Sequence, residues 1–155
     1  MNDPRPLTSR ALTSAMDVLR PLLPGARVLD LFAGHGRFAE ASLKEGAEHA
    51  TLVENNRDTA GQLRKTFQKL AAEIHCTDVF SFLKSNTQTF DLLFADPPFQ
   101  FWTPEFEEKL FTAVLPAARK GSILLVKHPK RVVASDSVRD FNLYKTSVFG
   151  DSKLL

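Results

Sequence analysis

Apolar residues along this chain alternate between a helical and a strand-like period. Leu12, Ala15, Met16, Leu19, Leu22 and Leu23 recur at helical spacing and predict an N-terminal helix that Pro24-Gly25 ends. Residues 28–32 form a short buried strand interrupted by one acid, Asp30. Gly34 and Gly36 then open a helix that closes near Gly46. Residues 50–54 predict a second strand, and Ala60, Leu63, Phe67 and Leu70 mark one face of the next helix. Residues 73–77 predict a third strand and residues 79–83 a short helix. Residues 90–95 lack polar alternation, as in a strand buried on both faces. Thr103 is placed to cap the following helix, with Pro104 at its first position and Glu105 and Glu107 in its first turn. Phe106, Leu110 and Val114 line that helix's inner face. Residues 122–126 predict a fifth strand, followed by a loop or weak helix over 129–136.

This alternation predicts an α/β fold, a doubly wound and mostly parallel sheet with helices on both faces. Residues 142–149 and 153–155, joined at the turn-like Gly150-Asp151, add an antiparallel C-terminal hairpin to the expectation. The whole chain of 155 residues reads as one domain, with residues 1–24 as an N-terminal arm and helix. Ligands of such sheets bind at the carboxyl ends of the strands, and every candidate below falls there.

Composition changes this picture little. Apolar residues make up 43% and charged residues 25%, an ordinary globular balance, and thirteen Phe against one Tyr suit a well-filled core. A formal net charge of +2 is too weak alone to require a nucleic-acid partner. The one cysteine, Cys76, excludes an internal disulfide and fits a reducing, cytoplasmic setting. No apolar run approaches the length of a membrane span, and the polar, proline-containing start does not read as a secretory signal. No cluster of Cys, His and acids suggests a metal site.

The first candidate chemistry lies in Asp30-Leu31-Phe32-Ala33-Gly34-His35-Gly36. Gly34 through Ala39 formally fits the dinucleotide pattern, with Glu54 at the expected distance. An aspartate just ahead of the loop argues against it, because a pyrophosphate at a helix N-terminus would be repelled. A cationic amine would instead be welcomed. Glu54 can accept from ribose hydroxyls, and Asp78 from an adenine amine. Three acids after three successive strands suit a cationic nucleoside without phosphate, which describes S-adenosyl-L-methionine. Asp78 fits a helix cap as well, and Glu54 a solvated strand end. The cofactor-binding candidates are Asp30, Phe32, Gly34, Gly36, Glu54 and Asp78.

The second is Asp96-Pro97-Pro98-Phe99, a rigid corner after the fourth strand. The amine nitrogen of a base is a poor nucleophile because its lone pair is delocalised into the ring. Asp96 can accept one N–H and the Pro97 carbonyl the other, which pulls the nitrogen toward tetrahedral geometry. Phe99 can stack on the base. The gain would lie in orientation and preorganised electrostatics. A proline-rich turn with a capping aspartate is the plainer alternative. The catalytic candidates are Asp96, Pro97, Pro98 and Phe99.

Taken with Arg5-Pro6-Leu7-Thr8-Ser9-Arg10, these two motifs resemble the RsmD family of bacterial ribosomal RNA methyltransferases. The resemblance runs from Arg5 to Leu155, with Phe149-Gly150-Asp151-Ser152-Lys153-Leu154 similar to the family's closing hairpin. It implies a class I, Rossmann-like methyltransferase fold and methylation of a guanine N2 in small-subunit (16S) rRNA. It also implies cofactor contacts at Asp30, Gly34, Glu54 and Asp78, and a catalytic role for Asp96 through Phe99. The chain departs from the family where only Met1–Pro4 precedes the Arg-Pro segment, in place of a basic glycine-containing hairpin. It also departs at His35, which stands between the glycines in place of a small residue, and at Leu155, where the family's last strand usually continues.

The expected partner is RNA, either small-subunit rRNA or an assembling ribosomal particle, with room for an accessory partner. Arg119, Lys120, Lys127, Lys130 and Arg131 form an acid-free basic run that suits phosphate contacts or an ordinary solvated loop. Arg5 and Arg10 would extend it. Phe101 and Trp102 can stack on bases or pack as a lid. The rival readings are a DNA adenine-N6 methyltransferase, a protein glutamine methyltransferase, and a noncatalytic module that binds the cofactor.

Overall fold

In a computed structural model of the protein, which describes residues 9–129, 137–138, 141–142, 147–149 and 152–155, the N-terminal periodicity becomes helix α1 (Ser9–Leu19). Its inner face is Ala11, Ala15, Met16 and Leu19, all buried. Four βα units and a fifth strand follow: β1 (Arg27–Leu31), α2 (Arg37–Lys44), β2 (His49–Glu54), α3 (Arg57–Thr66), β3 (Ala72–Cys76), α4 (Val79–Ser85), β4 (Phe90–Ala95), α5 (Pro104–Val114) and β5 (Ala118–Pro129).

The helix starts are set by local chemistry. Thr103 accepts from the Phe106 amide at 3.0 Å ahead of α5, and Asn56 accepts from the Thr59 amide at 2.9 Å ahead of α3. Asp78 does the same for α4, accepting from Ser81 N at 3.0 Å. Each satisfies a backbone donor that the helix itself leaves open.

The strands β1 to β5 pair in parallel, in the order β3-β2-β1-β4-β5. Strand alternation sorts the core into two layers. Val28, Leu52, Leu92 and Phe94 pack with α1, α2 and α3 on one face. Leu29, Leu31, Val53, Leu93, Ala95 and Val126 pack with α4 and α5 on the other. Phe38 of α2 stacks on Phe94 of β4 at 4.3 Å between centroids. The strand order reverses between β1 and β4, so the crevice at their carboxyl ends is where a ligand of this fold would sit.

The C-terminal part of the expected fold requires correction. The expected antiparallel hairpin of residues 142–149 against 153–155 does not form over those bounds: among the described residues the antiparallel pairing is three residues a side, Ser147–Phe149 against Ser152–Leu154. Phe141–Asn142 (β7) pairs with Ser137–Val138 (β6) in a two-stranded ribbon outside the main sheet. Beyond it only Ser147–Phe149 (β8) and Ser152–Leu154 (β9) are strand, and Gly150-Asp151 lies outside the described residues. β9 lies along the end of β5, Lys127 opposite Leu154, with β8 beyond it. Val126 and Leu155 exchange two backbone hydrogen bonds of 2.9 Å. The physical reason is the edge of β5, whose open amides and carbonyls take up this segment as sheet edge. β5 itself is longer than predicted, running from Ala118 to Pro129.

Candidate active site

The loop after β1 is bent by three residues in left-handed backbone: Phe32 at φ 58°, Gly34 at 57° and Gly36 at 73°. Such a φ is a strained value for an aromatic residue, and strain of this kind gathers at functional loops. The loop is tied to β2 by Ala33 N donating to Val53 O at 3.0 Å and by Gly34 N donating to Glu54 Oε1 at 2.8 Å. Glu54 Oε2 accepts from Asn56 N at 2.9 Å. Each Glu54 oxygen thus spends one lone pair on the backbone and retains another for a hydroxyl. The two glycines differ: a side chain on Gly34 would meet nothing within 4 Å, whereas one on Gly36 would strike Phe67 and Leu63 of the α3 segment. Gly36 serves helix packing, and Gly34 lines open space. His35 is exposed.

Asp30 is 1% exposed. Its Oδ2 accepts from Ala39 N, in the first turn of α2, at 3.3 Å. Its Oδ1 is buried and finds no hydrogen-bond partner among the described residues. Burial pushes this carboxyl well above its ordinary range; the Ala39 amide opposes that shift, and the charges of Asp96 and Glu54 add to it. An acid therefore already occupies part of the helix N-terminus that a pyrophosphate would need, and its second oxygen calls for a donor. That acceptor fits the aminium group of S-adenosylmethionine, which donates. Asp78 is exposed and caps α4 through Oδ2, which leaves Oδ1 for an amine. The sequence offered cap and ligand as alternatives; the cap is present, and it uses one oxygen.

Asp96 follows β4, one strand over from Asp30, and its amide donates to Leu31 O at 3.3 Å. Its carboxylate is 15% exposed and its Oδ1 lies 3.5 Å from Lys127 Nζ. Burial raises the Asp96 carboxyl to about 6 against the opposing charge and hydrogen bond of Lys127. Pro97 is buried, Pro98 partly so, and Phe99 opens a short 3-10 turn, Phe99–Phe101, with its ring 5.6 Å from Lys127 Nζ. Trp102 is 7% exposed and belongs to the core, packed between Phe106 at 5.4 Å and His128 at 4.6 Å. Phe101 remains 44% exposed with its ring 5.7 Å from Phe106.

The basic run does not form one patch. Arg119 pairs with Asp91 at the start of β4, the sheet end opposite Asp96. Lys127 lies eight residues further along β5, roughly 25 Å away at strand rise. Lys127 is 4% exposed, so it is a partner of Asp96 and not a surface phosphate contact. Lys130, Arg131 and Arg5 lie outside the described residues. The Lys127–Asp96 pair was missed by sequence reasoning. The signal was a cation directly after an apolar run, ILLVK, beside the strand that Asp96 follows.

Among the described residues no group of three or more His, Cys, Asp or Glu is placed to hold a metal ion, and no helix is long and apolar enough to cross a membrane.

Comparison with known proteins adds an independent line. The family model described as Conserved hypothetical protein 95 matches residues 1–155. Ribosomal RNA small subunit methyltransferase D of Escherichia coli (strain K12) is 33% identical over 99 residues, covering 62% of this chain and 50% of that protein. The Haemophilus influenzae protein of the same name is 34% identical over 104 residues, covering 63% and 54%. The chain therefore spans about half the length of the curated relatives it matches. The solved structure of yhhF from Escherichia coli, described as a candidate methyltransferase, superposes with a TM-score of 0.83 at 22% identity, covering 98% of this chain and 87% of that one. That likeness shows the fold: the five parallel strands and their helices have the class I methyltransferase arrangement.

Proposed function

The chain belongs to the family described as Conserved hypothetical protein 95, and from that premise we propose that it is an S-adenosylmethionine-dependent methyltransferase acting on an exocyclic amine of RNA. The proposed target is guanine N2 of small-subunit (16S) rRNA, free or in an assembling particle. The motifs that resemble the RsmD family and the names of the two methyltransferase D relatives support that choice. The observation that carries the reading is the juxtaposition of two carboxylates, buried Asp30 and partly buried Asp96, at the carboxyl ends of adjacent strands where the strand order reverses.

In this reading Asp30 Oδ1 accepts from the methionine amine, Gly34 lets the ligand approach the backbone, and Phe32 shapes the bend. Gly36 sets the start of α2 beneath the loop. Glu54 accepts from the ribose and Asp78 Oδ1 from adenine. When bound, S-adenosylmethionine supplies an electrophilic methyl group on a sulfonium. Asp96 Oδ2 accepts one N–H of the target amine and the Pro97 carbonyl accepts the other. Pro98 fixes the corner, and Phe99 holds the plane of the base. These groups orient a nitrogen lone pair that the ring would otherwise keep delocalised.

The test is tritiated methyl transfer from S-adenosylmethionine to undermodified RNA and to partly assembled small subunits, with Asp96→Ala alongside. Label in RNA that vanishes in the variant supports the assignment, and digestion identifies the base. Label confined to DNA or to protein glutamine would overturn it, as would cofactor binding with no transfer to any RNA.

A further inference from the structure

We propose that Lys127 is a positioning residue for this site: its ammonium holds Oδ1 of Asp96 and keeps that carboxylate an ionised acceptor whose Oδ2 is left for the incoming amine. The inference deepens the function proposed above and rests on it for the identity of the amine. Its physical basis is independent of it.

The geometry is specific. Lys127 lies near the carboxyl end of β5 and Asp96 directly follows the neighbouring parallel strand β4, and their charged atoms lie 3.5 Å apart. The Lys127 side chain is buried and that of Asp96 largely so, at 5% and 15% exposure. A carboxylate in that setting is costly without a cation nearby, and its ordinary response is to take up a proton. With Lys127 at Oδ1, a protonated Asp96 would carry its O–H on Oδ2 and set a donor against the N–H of the amine. Two influences set its charge: burial opposes ionisation, and Lys127, facing it from β5, favours it. Asp30 on the adjacent β1 is the nearest other acid, and its own carboxyl is raised by the charges of Asp96 and of Glu54 on β2. His128, the next residue on β5, alternates to the other face, against Trp102 and 4.0 Å from Glu107 of α5.

The fold also holds the lysine in register. β9 lies along β5 with Leu154 opposite Lys127, and Val126 and Leu155 exchange backbone bonds one step before it. The Phe99 ring, 5.6 Å from Nζ, shares the same ammonium. Lys127 thus connects the acceptor, the base-stacking ring and the C-terminal strand.

The test is titration of Asp96 in the free protein, which needs neither cofactor nor RNA. Aspartate carboxyl carbons are labelled, and Asp96 is assigned by its absence in Asp96→Asn. In Lys127→Met the midpoint should rise by about one unit or more, the usual effect of losing an adjacent opposite charge in a buried site. Lys127→Arg should restore it most of the way. A merely structural lysine would move neither midpoint. Should Lys127→Met not fold, Lys127→Gln carries the same expectation, and the native amide spectrum certifies whichever variant is used. An unchanged Asp96 midpoint in a folded Met or Gln variant overturns the proposal. Absence of methyl transfer by the wild type would instead overturn the function and leave the titration standing.

Discussion

Gly34 and Gly36 both hold left-handed backbone, but they should fail in different ways when given a side chain. A methyl group on Gly36 would lie 2.7 Å from Phe67 Cε2 and 2.9 Å from Leu63 Cδ2. Both neighbours are only 2% exposed, so neither swings into solvent. A methyl group on Gly34 meets nothing within 4 Å. Left-handed strain costs either alanine about 1–2 kcal/mol. Overpacking adds about 1–3 kcal/mol, and only at Gly36. Gly36→Ala should therefore destabilise the free protein by roughly 2–5 kcal/mol, against about 1–2 for Gly34→Ala. Urea unfolding followed by circular dichroism measures that difference, and calorimetric titration with S-adenosylhomocysteine measures the other half. Gly34→Ala should lose affinity out of proportion to its stability, because its methyl occupies the ligand's side of the loop. Equal unfolding midpoints would refute the packing argument. Wild-type affinity in Gly34→Ala would show that no ligand approaches that backbone.

Three further outcomes follow from single side chains. Burial raises the Asp30 carboxyl, so its proton favours the folded state; that stabilising effect is present below the unfolded value and lost as pH rises through the folded one. Asp30→Asn should therefore raise the melting temperature of the free protein at pH 7, by the equivalent of about 1–2 kcal/mol, while weakening cofactor binding; a lower melting temperature would contradict the orphaned-oxygen reading. Asp96, at about 6, must be ionised to accept an N–H, so kcat/KM for methyl transfer should be flat above neutrality and fall about tenfold per unit below that value; a profile still flat at pH 5 would remove Asp96 from the role. Phe101→Ala should raise the KM for RNA about tenfold with little change in thermal stability, because that ring is 44% exposed; an unchanged KM would assign Phe101 to packing alone.

What was legible in the sequence was what depends on neighbours in the chain. Thr103-Pro104-Glu105 announces α5 because a cap, a fixed φ and an acid each act within one turn. The strands β1 and β4 were visible as apolar runs because both faces are covered by helices. The end of β5 was not. Lys127-His128-Pro129 has the composition of a solvated loop, yet all three residues are buried in the strand. Their polarity is answered by Asp96 in the crevice and by Glu107 and Trp102 across the sheet, partners 20 or more residues away in sequence. The same limit applies to 142–149. Its apolar and β-branched residues read as one strand, but which segment covers an open edge is decided by the edge. In the candidate site the acids were found by their places after strands. The lone-pair accounting that separates Gly34 from Gly36, or a capped Asp78 oxygen from an available one, required coordinates.

That accounting also bears on why a cationic ligand suits this crevice better than a dinucleotide. Asp30 and Asp96 lie on the α1–α3 side of adjacent strands, close enough that the charge of Asp96 raises the Asp30 carboxyl, with Glu54 adding to it. Like charges in a buried space persist together only where something offsets them. For Asp96 that is Lys127. For Asp30 the described residues provide only the Ala39 amide, at 3.3 Å, and leave its second oxygen bare. A pyrophosphate would bring more negative charge to the same helix N-terminus and compete with Asp30 for its donors. An aminium group reverses each of those terms: it donates to the bare oxygen, lowers the field on Asp96 and leaves the helix amide where it is. The GxGxxA spacing alone cannot distinguish the two ligands, but an aspartate bonded into the first turn of α2 does.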